Sequence, residues 1–327
     1  MNGQQSLEFL KGISESNFEK HVWTTFRNQY ENNSVYRSYC DLIHKDPDRV
    51  QRIADLPFLP ISFFKTHKVQ TTKYTDFYFT SSGTTGSSIS KHYVPNLALY
   101  EASFRWGFER FYGAINKYAV LALLPSYLER SGSSLIYMVQ DWIKNSMHPL
   151  SGFYLNDYAA LANQLALLEK QKQPTLLIGV SFALLDFAEQ YPQQLKHTMV
   201  METGGMKGRR KELLREALHQ HLKEGFGQAC IHSEYGMTEL LSQAYACKDG
   251  QFETPPWMQV LARDPSDPLS LIAQGQIGGL NIIDLANQDS CAFIATEDLG
   301  RVSASGKFEV LGRFDAAEIR GCNLMVV

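Results

Sequence analysis

The stretch around which the chain is organised combines hydroxyl side chains with glycines: Thr80-Ser81-Ser82-Gly83-Thr84-Thr85-Gly86-Ser87-Ser88. Residues 76–79 before it and 89–94 after it alternate and carry aromatic or β-branched side chains, which is typical of two strands joined by a long turn. Glycines let the backbone turn its N–H groups inward, and hydroxyls add donors. The stretch therefore predicts a hairpin loop suited to a polyphosphate, although a solvent-exposed polar hairpin would fit the same residues.

This loop differs from a Walker A loop in three respects. Only two residues separate Gly83 from Gly86, no Gly-Lys-Ser/Thr closes the loop, and a strand rather than a helix is expected to follow. A polyphosphate would therefore be held here by a different loop geometry.

Composition and charge exclude several classes of protein. The net charge of −3 gives no basic footprint for nucleic acid or for an anionic membrane. The five cysteines are scattered without CxxC spacing, which argues against a disulfide framework and a zinc site. The N-terminus has no basic region followed by an apolar run, and the longest apolar run, 118–124, is too short to span a bilayer. We expect a cytoplasmic protein.

Periodicity divides the chain into three parts. Amphipathic patterns predict a helical N-terminal segment over 1–75. Short apolar runs then alternate with amphipathic segments, which predicts βαβ units around a largely parallel sheet in an α/β core over 76–238. Several strands without a long helix predict a β-rich subdomain over 239–327.

Within these parts, three predicted elements bear on the candidate site. The patterns predict a helix over 209–222, a strand over 229–232 and a strand over 291–296.

Two groups of residues are expected at the carboxyl ends of strands, where open α/β sheets bind ligands. Gly204 and Gly205 follow one predicted strand and precede a helix. In the segment after a second predicted strand, Thr238 and Glu239 place a hydroxyl beside a carboxylate, a natural pair for phosphate and Mg²⁺. Tyr235 in the same segment offers a flat face for a base. Each of these residues has a structural alternative as a cap or a turn residue.

Further chemistry could come from Asp298 and Arg313. Asp298 is expected at the end of a strand, where a carboxylate could bind ribose hydroxyls with the help of Arg313. A surface ion pair would explain both residues equally well. A rival interpretation starts from Ser181 in Gly-Val-Ser-Phe-Ala, which nearly matches the nucleophile elbow of hydrolases, but Ala183 replaces its second glycine. His219 and His221 point to different sides of a helix, which suggests a solvated face.

The order of these motifs resembles the adenylate-forming superfamily of acyl-CoA ligases, and within it the LuxE-type acyl-protein synthetases. The matching elements are the Ser/Thr/Gly loop, the Gly-Gly pair, Tyr235-Gly236-Met237-Thr238-Glu239, Asp298-Leu299-Gly300 and Gly312-Arg313. Three phrases resemble the LuxE branch in particular: Phe79 to Gly86, Leu124-Pro125-Ser126-Tyr127-Leu128-Glu129-Arg130, and Glu318-Ile319-Arg320-Gly321-Cys322. The similarity covers most of the chain, from about residue 56 onward.

The resemblance implies a fold, a reaction and a set of site residues. The fold would be an α/β core like the large N-terminal domain of adenylate-forming enzymes, and the reaction would convert a carboxylic acid and ATP to an acyl-adenylate. The loop residues Ser81, Ser82, Gly83, Thr84, Thr85 and Gly86 would hold the β- and γ-phosphates of ATP. Thr238 would contact the α-phosphate, and Glu239 would hold Mg²⁺. The remaining nucleotide-binding residues would be Gly204, Gly205, Tyr235, Gly236, Asp298 and Arg313.

One departure concerns the small mobile C-terminal domain and its catalytic lysine. The sequence ends fourteen residues after Arg313, so we expect the core without that domain. Lys65 or Lys91 could replace the lysine, but no pattern selects either. The expected absence of the domain favours acyl transfer to a protein thiol. The resemblance to LuxE-type enzymes implies a fatty acid as substrate and an acyl reductase subunit as partner. An aryl- or acyl-CoA ligase of the phenylacetate type and a non-catalytic subunit are the alternatives.

The candidate acyl carrier is Cys322. If its segment is extended, Arg320 and Cys322 share a face, and the guanidinium would favour the reactive thiolate. This segment resembles a segment of the LuxE-type enzymes, which carry their acyl group on a cysteine near the C-terminus. A buried cysteine in a terminal apolar strand is the structural alternative.

Overall fold

The structure, a computed structural model, describes residues 3–71, 75–81, 89–125, 132–204, 213, 215–248 and 250–314. Its helices are α1 (Gly3–Lys11), α2 (Phe18–Asn32), α3 (Ser34–Leu42), α4 (Phe63–Thr66), α5 (Leu97–Tyr112), α6 (Ser134–Ser146), α7 (Tyr158–Gln171), α8 (Ser181–Gln190) and α9 (Arg215–Phe226). Its strands are β1 (Leu59–Pro60), β2 (Tyr78–Thr80), β3 (Lys91–Tyr93), β4 (Ala119–Leu123), β5 (Gly152–Phe153), β6 (Thr175–Val180), β7 (Thr198–Thr203), β8 (His232–Tyr235), β9 (Ala244–Ala246), β10 (Met258–Arg263), β11 (Ile277–Asp284), β12 (Phe293–Val302) and β13 (Phe308–Arg313).

A six-stranded sheet forms the centre of the α/β core. Its order is β5-β4-β6-β7-β8-β9, and all neighbouring strands are parallel except the last pair. Every residue of β4 and β6 is buried, as expected for strands covered on both faces. The α/β fold with a largely parallel sheet is therefore confirmed, and the carboxyl ends of β7 and β8 lie side by side.

A second sheet carries the C-terminal strands. Its order is β1-β12-β11-β10, with β13 on the other part of β12. β10 to β13 pair antiparallel, whereas the short β1 pairs with β12 in parallel. The domain boundaries predicted at 75/76 and 238/239 stay predictions. β1 lies before the first boundary but pairs in the C-terminal sheet, and β9 lies after the second boundary but pairs in the six-stranded sheet.

The N-terminal helices pack on this second sheet. Val22 and Phe26 of α2 are fully buried, and the Phe26 ring meets Phe293 of β12 edge to face at 6.0 Å. The buried Gln29 side chain donates to the backbone carbonyls of Asn287 and Gln288. The helical segment thus holds the loop that follows β11.

Three boundaries differ from the sequence prediction. β8 begins at 232 rather than 229 and extends through Tyr235, and β12 continues past 296 to 302, so that Asp298 lies inside it. Pairing with β13 explains the longer β12, since Asp298 and Arg313 are partners in register. Residue 213 lies inside the helix predicted over 209–222 but is not helical in the structure, and α9 begins at Arg215.

Candidate functional site

The ends of the Ser/Thr/Gly loop are held in a β-hairpin, as predicted. β2 and β3 pair antiparallel, and Ser81 and Ser90 close the hairpin. The Ser81 amide donates to the Ser90 carbonyl at 3.2 Å, and the Ser90 amide donates to Ser81 Oγ at 3.0 Å. The loop residues Ser82, Gly83, Thr84, Thr85 and Gly86 lie outside the described residues, as do Gly205 and Cys322.

Thr238 and Glu239 lie against this hairpin, in the connection between β8 and β9. Thr238 Oγ1 donates to the Thr80 carbonyl at 3.3 Å. Glu239 is 5% exposed, and Ser90 hydrogen-bonds its carboxyl group. The end of β2, which leads into the Ser/Thr/Gly loop, and the hydroxyl–carboxylate pair are therefore neighbours.

Tyr235, Asp298 and Arg313 form the second half of the site. The Tyr235 hydroxyl donates to Asp298 Oδ2 at 2.7 Å. Arg313 lies with Nε 3.8 Å from Asp298 Oδ1 and donates from Nη2 to Glu297 Oε2 at 2.8 Å. This brings together three residues that sequence motifs placed far apart. Arg313 is itself an exposed side chain paired with Glu297, as the surface alternative expects, and it also lies close to the less exposed Asp298.

The two halves share one electrostatic environment. Burial raises the pKa of Glu239, whereas Ser90, Arg313 and Lys65 oppose that rise. Burial likewise raises the pKa of Asp298, opposed by the Tyr235 hydroxyl and by Arg313. Arg313 thus stabilises the charge of both carboxylates, and a bound cation would stabilise the Glu239 carboxylate further.

Gly204 and Gly236 are required by the backbone at the carboxyl edge of the sheet. Gly204 follows β7 with φ of +67°, a conformation that L-residues rarely adopt. At Gly236 a Cβ atom would lie 2.5 Å from Glu234 Oε1, so a larger residue would displace that carboxyl group. Both predicted glycines therefore shape the turns that present their neighbours.

Sequence patterns missed His92, a fully buried residue of β3. Its Nδ1 lies 2.7 Å from the Thr238 carbonyl and its Nε2 lies 3.0 Å from Asn287 Oδ1. The Thr238 carbonyl and Asn287 Oδ1 both only accept, so the neutral ring donates to one of them at a time, and only the imidazolium donates to both. Burial lowers the pKa of His92 to about 4, although both hydrogen bonds oppose this. The 195 residues between His92 and Asn287 explain why no local pattern indicated the contact.

The hydrolase interpretation finds no support at Ser181. This residue is 2% exposed, and its hydroxyl lies 2.8 Å from the Gly204 carbonyl and 3.1 Å from Glu202 Oε2, so it can donate to either. Its described hydrogen-bond partners include no histidine, and the one carboxylate among them, Glu202, is already paired with Arg215 and His219. Ser181 instead helps to hold the turn that follows β7.

His219 is a correction to the predicted solvated face. It is 5% exposed, and Nε2 lies 3.2 Å from Ser233 Oγ and 3.5 Å from Glu202 Oε1. Arg215 donates to the same Glu202 oxygen at 2.5 Å. Burial favours protonation of Glu202, but Arg215, His219 and Ser233 outweigh it and lower the pKa of the carboxyl group. This buried network joins α9 to β7 and β8.

Glu234 carries a buried carboxyl group on the face of β8 opposite to that of Ser233. Burial raises its pKa to about 7, and the nearby Glu202 adds to this, whereas a hydrogen bond from Thr203 opposes it. The protonated carboxyl group stabilises the fold fully below the unfolded pKa of 4.5, and this stabilisation is lost as pH rises to about 7.

Replacing Glu234 with glutamine should therefore make stability less dependent on pH. Relative to the wild type, Glu234→Gln should gain up to about 3 kcal/mol between pH 4.5 and 7 and gain nothing more above it. Urea unfolding across this range measures the difference, with the exposed Glu224→Gln as control. A difference that does not change with pH would contradict the assignment.

Within the described ranges, no cluster of three or more His, Cys, Asp and Glu side chains is arranged for a metal ion. Glu239 alone nevertheless fits Mg²⁺, which is commonly bound by one or two carboxylates together with substrate phosphates and water. Among the described helices, none combines the length and apolar character that crossing a membrane requires.

Comparison with known proteins identifies the family. The family model "Acyl-protein synthetase, LuxE" matches residues 4–96 and 159–327. The chain belongs to this family. The LuxE membership predicted from the motifs is thereby confirmed, and with it a ligase. A long-chain-fatty-acid–luciferin-component ligase of Aliivibrio fischeri is 25% identical over 94% of this chain and 86% of that protein. Its counterpart in Photorhabdus luminescens is 39% identical over 70 residues, 21% of this chain and 60% of that protein.

Solved structures show that this LuxE-family chain has the adenylate-forming fold. A 2-hydroxyisobutyryl-CoA ligase in an open conformation has a TM-score of 0.66 at 11% identity, covering 92% of this chain and 70% of that chain. ATP-bound MatB from Rhodopseudomonas palustris has a TM-score of 0.52 at 17% identity over 72% of this chain. That match spans only about half, 47%, of the MatB chain. At these identities the likeness concerns the fold alone.

Proposed function

We propose that the protein activates a carboxylic acid, of the fatty acid class, with ATP and transfers the acyl group to a protein cysteine. The observation that carries the proposal is the convergence of two groups: Thr238 and Glu239 beside the ends of the phosphate loop, and Tyr235 with Asp298 and Arg313. The fatty acid class is supported by the name of the Aliivibrio fischeri relative.

In the first step, a carboxylate oxygen of the acid attacks the α-phosphorus of ATP. The bond from that phosphorus to pyrophosphate breaks, which yields the acyl-adenylate and pyrophosphate. Two anions must approach, so positioning and charge neutralisation contribute more than proton transfer. Backbone and hydroxyl donors of the 81–86 loop would hold the β- and γ-phosphates, and Thr238 would contact the α-phosphate.

The remaining nucleotide contacts come from β8, β12 and β13. Asp298 would accept hydrogen bonds from the ribose hydroxyls while Tyr235 and Arg313 keep its carboxylate oriented. Gly204, Gly205 and Gly236 would leave room beside the adenine and the acyl group. Glu239 would hold Mg²⁺, which supplies positive charge to the phosphate oxygens.

In the second step, a cysteine thiolate attacks the acyl carbonyl and AMP leaves. The proposed acceptor is Cys322, and a partner acyl reductase would then use the thioester. Exchange of labelled pyrophosphate into ATP, measured with a panel of fatty and aryl acids, tests the first step. Protein-bound label against acyl-CoA, measured with CoA present, tests the second. Exchange without any protein-bound thioester would favour a CoA ligase instead.

Asp298→Asn should raise the KM for ATP about tenfold and leave the KM for the acid unchanged. The carboxamide still accepts from the Tyr235 hydroxyl, so the fold is retained, but it loses the charge that strengthens the bonds to ribose. Glu297→Gln is the matched control, because Glu297 pairs with Arg313 at the exposed edge of the same strand. Equal KM values for ATP in Asp298→Asn and wild type would contradict the ribose assignment.

A further inference from the structure

The second part of the connection between β8 and β9, residues 239–243, is buried but has no regular secondary structure. Residues 236–243 lie outside the strands, and within them the Leu240 amide donates to the Met237 carbonyl at 3.2 Å. Leu240, Leu241 and Ser242 are nearly inaccessible to solvent. Buried backbone groups need partners, so this segment depends on hydrogen bonds from elsewhere in the chain.

Three side chains from distant elements supply those bonds. His92 of β3 binds the Thr238 carbonyl, and Asn287 donates from Nδ2 to the Glu239 carbonyl at 2.9 Å. Asp284, at the end of β11, accepts from the amides of Leu241 and Ser242 at 2.8 and 3.0 Å. Four of the five backbone positions from 238 to 242 are therefore held by side chains.

His92 differs from the other two in what it connects. It lies on the strand that leaves the phosphate loop, one residue from Lys91 and two from Ser90, which hydrogen-bonds the Glu239 carboxyl group. Its second nitrogen meets Asn287, whose amide binds Glu239. One imidazole ring thus bridges the hairpin, the Thr238 backbone and the loop after β11, while Phe64 packs against its edge at 5.6 Å.

We propose that His92 is a positioning residue that fixes the Thr238–Glu239 backbone relative to the phosphate loop, together with Asn287, which holds the adjacent Glu239 carbonyl. The inference rests on the proposed function, in which Thr238 contacts the α-phosphate and Glu239 holds Mg²⁺. The ring is fully buried, so its loss should act through geometry. A small displacement of reacting groups is costly to the rate and has much less effect on the affinity for the acid.

The test compares His92→Phe, which keeps a ring without donors, with His92→Gln, which keeps one donor. Phe should lower kcat for pyrophosphate exchange about 30-fold and change the KM for the acid less than about twofold. Gln should recover part of this loss. The double variant His92→Phe/Asn287→Ala should be about as slow as the slower single variant, because both changes release the same Thr238–Glu239 backbone.

Hydrogen exchange of the ligand-free protein gives a readout that does not depend on activity. In His92→Phe the amides of 237–243 should exchange about tenfold faster, with protection elsewhere retained. Tyr36→Phe is the matched control: it removes one buried hydrogen bond, from the Tyr36 hydroxyl to the Pro57 carbonyl, far from the site. It should change neither kcat nor the protection of 237–243. If His92→Phe does not fold, His92→Gln carries the same comparison.

Two results would overturn the inference. One is wild-type kcat and protection in both His92 variants. The other is a uniform loss of protection along the chain, which would make His92 an ordinary core residue. A wild-type protein without pyrophosphate exchange would instead reject the proposed function, and hydrogen exchange would still decide whether His92 holds the turn.

Discussion

Replacing Glu239 with glutamine should lower the rate of ATP–pyrophosphate exchange by about 100-fold or more, which corresponds to about 2.7 kcal/mol of transition-state stabilisation. Glutamine has the size of glutamate but lacks the charge that, in the proposed reaction, would hold Mg²⁺ beside the reacting phosphate. Glu239 lies next to Thr238 and against the hairpin through Ser90, at the place where the phosphates would converge.

The fold should tolerate this change, which makes the loss of activity interpretable. Burial raises the pKa of Glu239, so the ionised carboxylate costs stability at neutral pH and glutamine removes that cost. We expect an unchanged or higher midpoint of thermal unfolding. The control is Glu253→Gln, which removes an exposed carboxylate paired with Lys307. Exchange close to the wild-type rate in Glu239→Gln would reject the assignment of Glu239 as metal ligand.

The alternation of strands and helices could be predicted because it depends on local patterns. β4 and β6 are fully buried, so their apolar runs are continuous, and α2 shows its buried face as an i+4 stripe through Val22 and Phe26. Asn96, a residue type common at helix N-caps, occupies the N-cap position of α5, but its side chain makes no capping hydrogen bond. The local pattern located the helix start without determining the contact made there.

What could not be predicted depends on residues far apart in the chain. The extent of β12 follows from pairing with β11 and β13, and the pairing of Asp298 with Arg313 lies in the part that local hydrophobicity did not include. His219 looked solvated because a helix pattern does not indicate that Glu202 and Ser233 of a neighbouring sheet will face it. The motifs predicted which residues meet at Tyr235 and Thr238, whereas the side chains that hold them, His92 and Asn287, belong to no motif.

The proposed acyl acceptor, Cys322, follows the site closely in sequence. β13 pairs with β12 and places Arg313 beside Asp298, and the Phe314 amide donates to the Glu297 carbonyl at 2.7 Å. Cys322 follows Phe314 by eight residues, so covalent geometry limits its distance from that point to about 28 Å. A thiol tethered this closely has a high effective concentration at the adenylate, which favours transfer within the chain.

Cys322→Ser should therefore abolish protein-bound thioester while leaving pyrophosphate exchange at the wild-type rate. The substitution removes the nucleophile of the second step, and serine is far less ionised than cysteine at neutral pH. The measurement uses protein incubated with ATP, Mg²⁺ and radiolabelled fatty acid, followed by hydroxylamine, which releases label held as a thioester.

Cys230→Ser and Cys247→Ser are the matched controls, since both thiols are partly accessible in the described structure. Each control should keep the labile label in full. Arg320→Gln should slow the labelling without abolishing it, because the cysteine remains but, if its segment is extended, loses a charge on the same face that would favour its thiolate. Undiminished thioester in Cys322→Ser would assign the acyl group to another residue, and loss of label in Cys230→Ser or Cys247→Ser would identify which one.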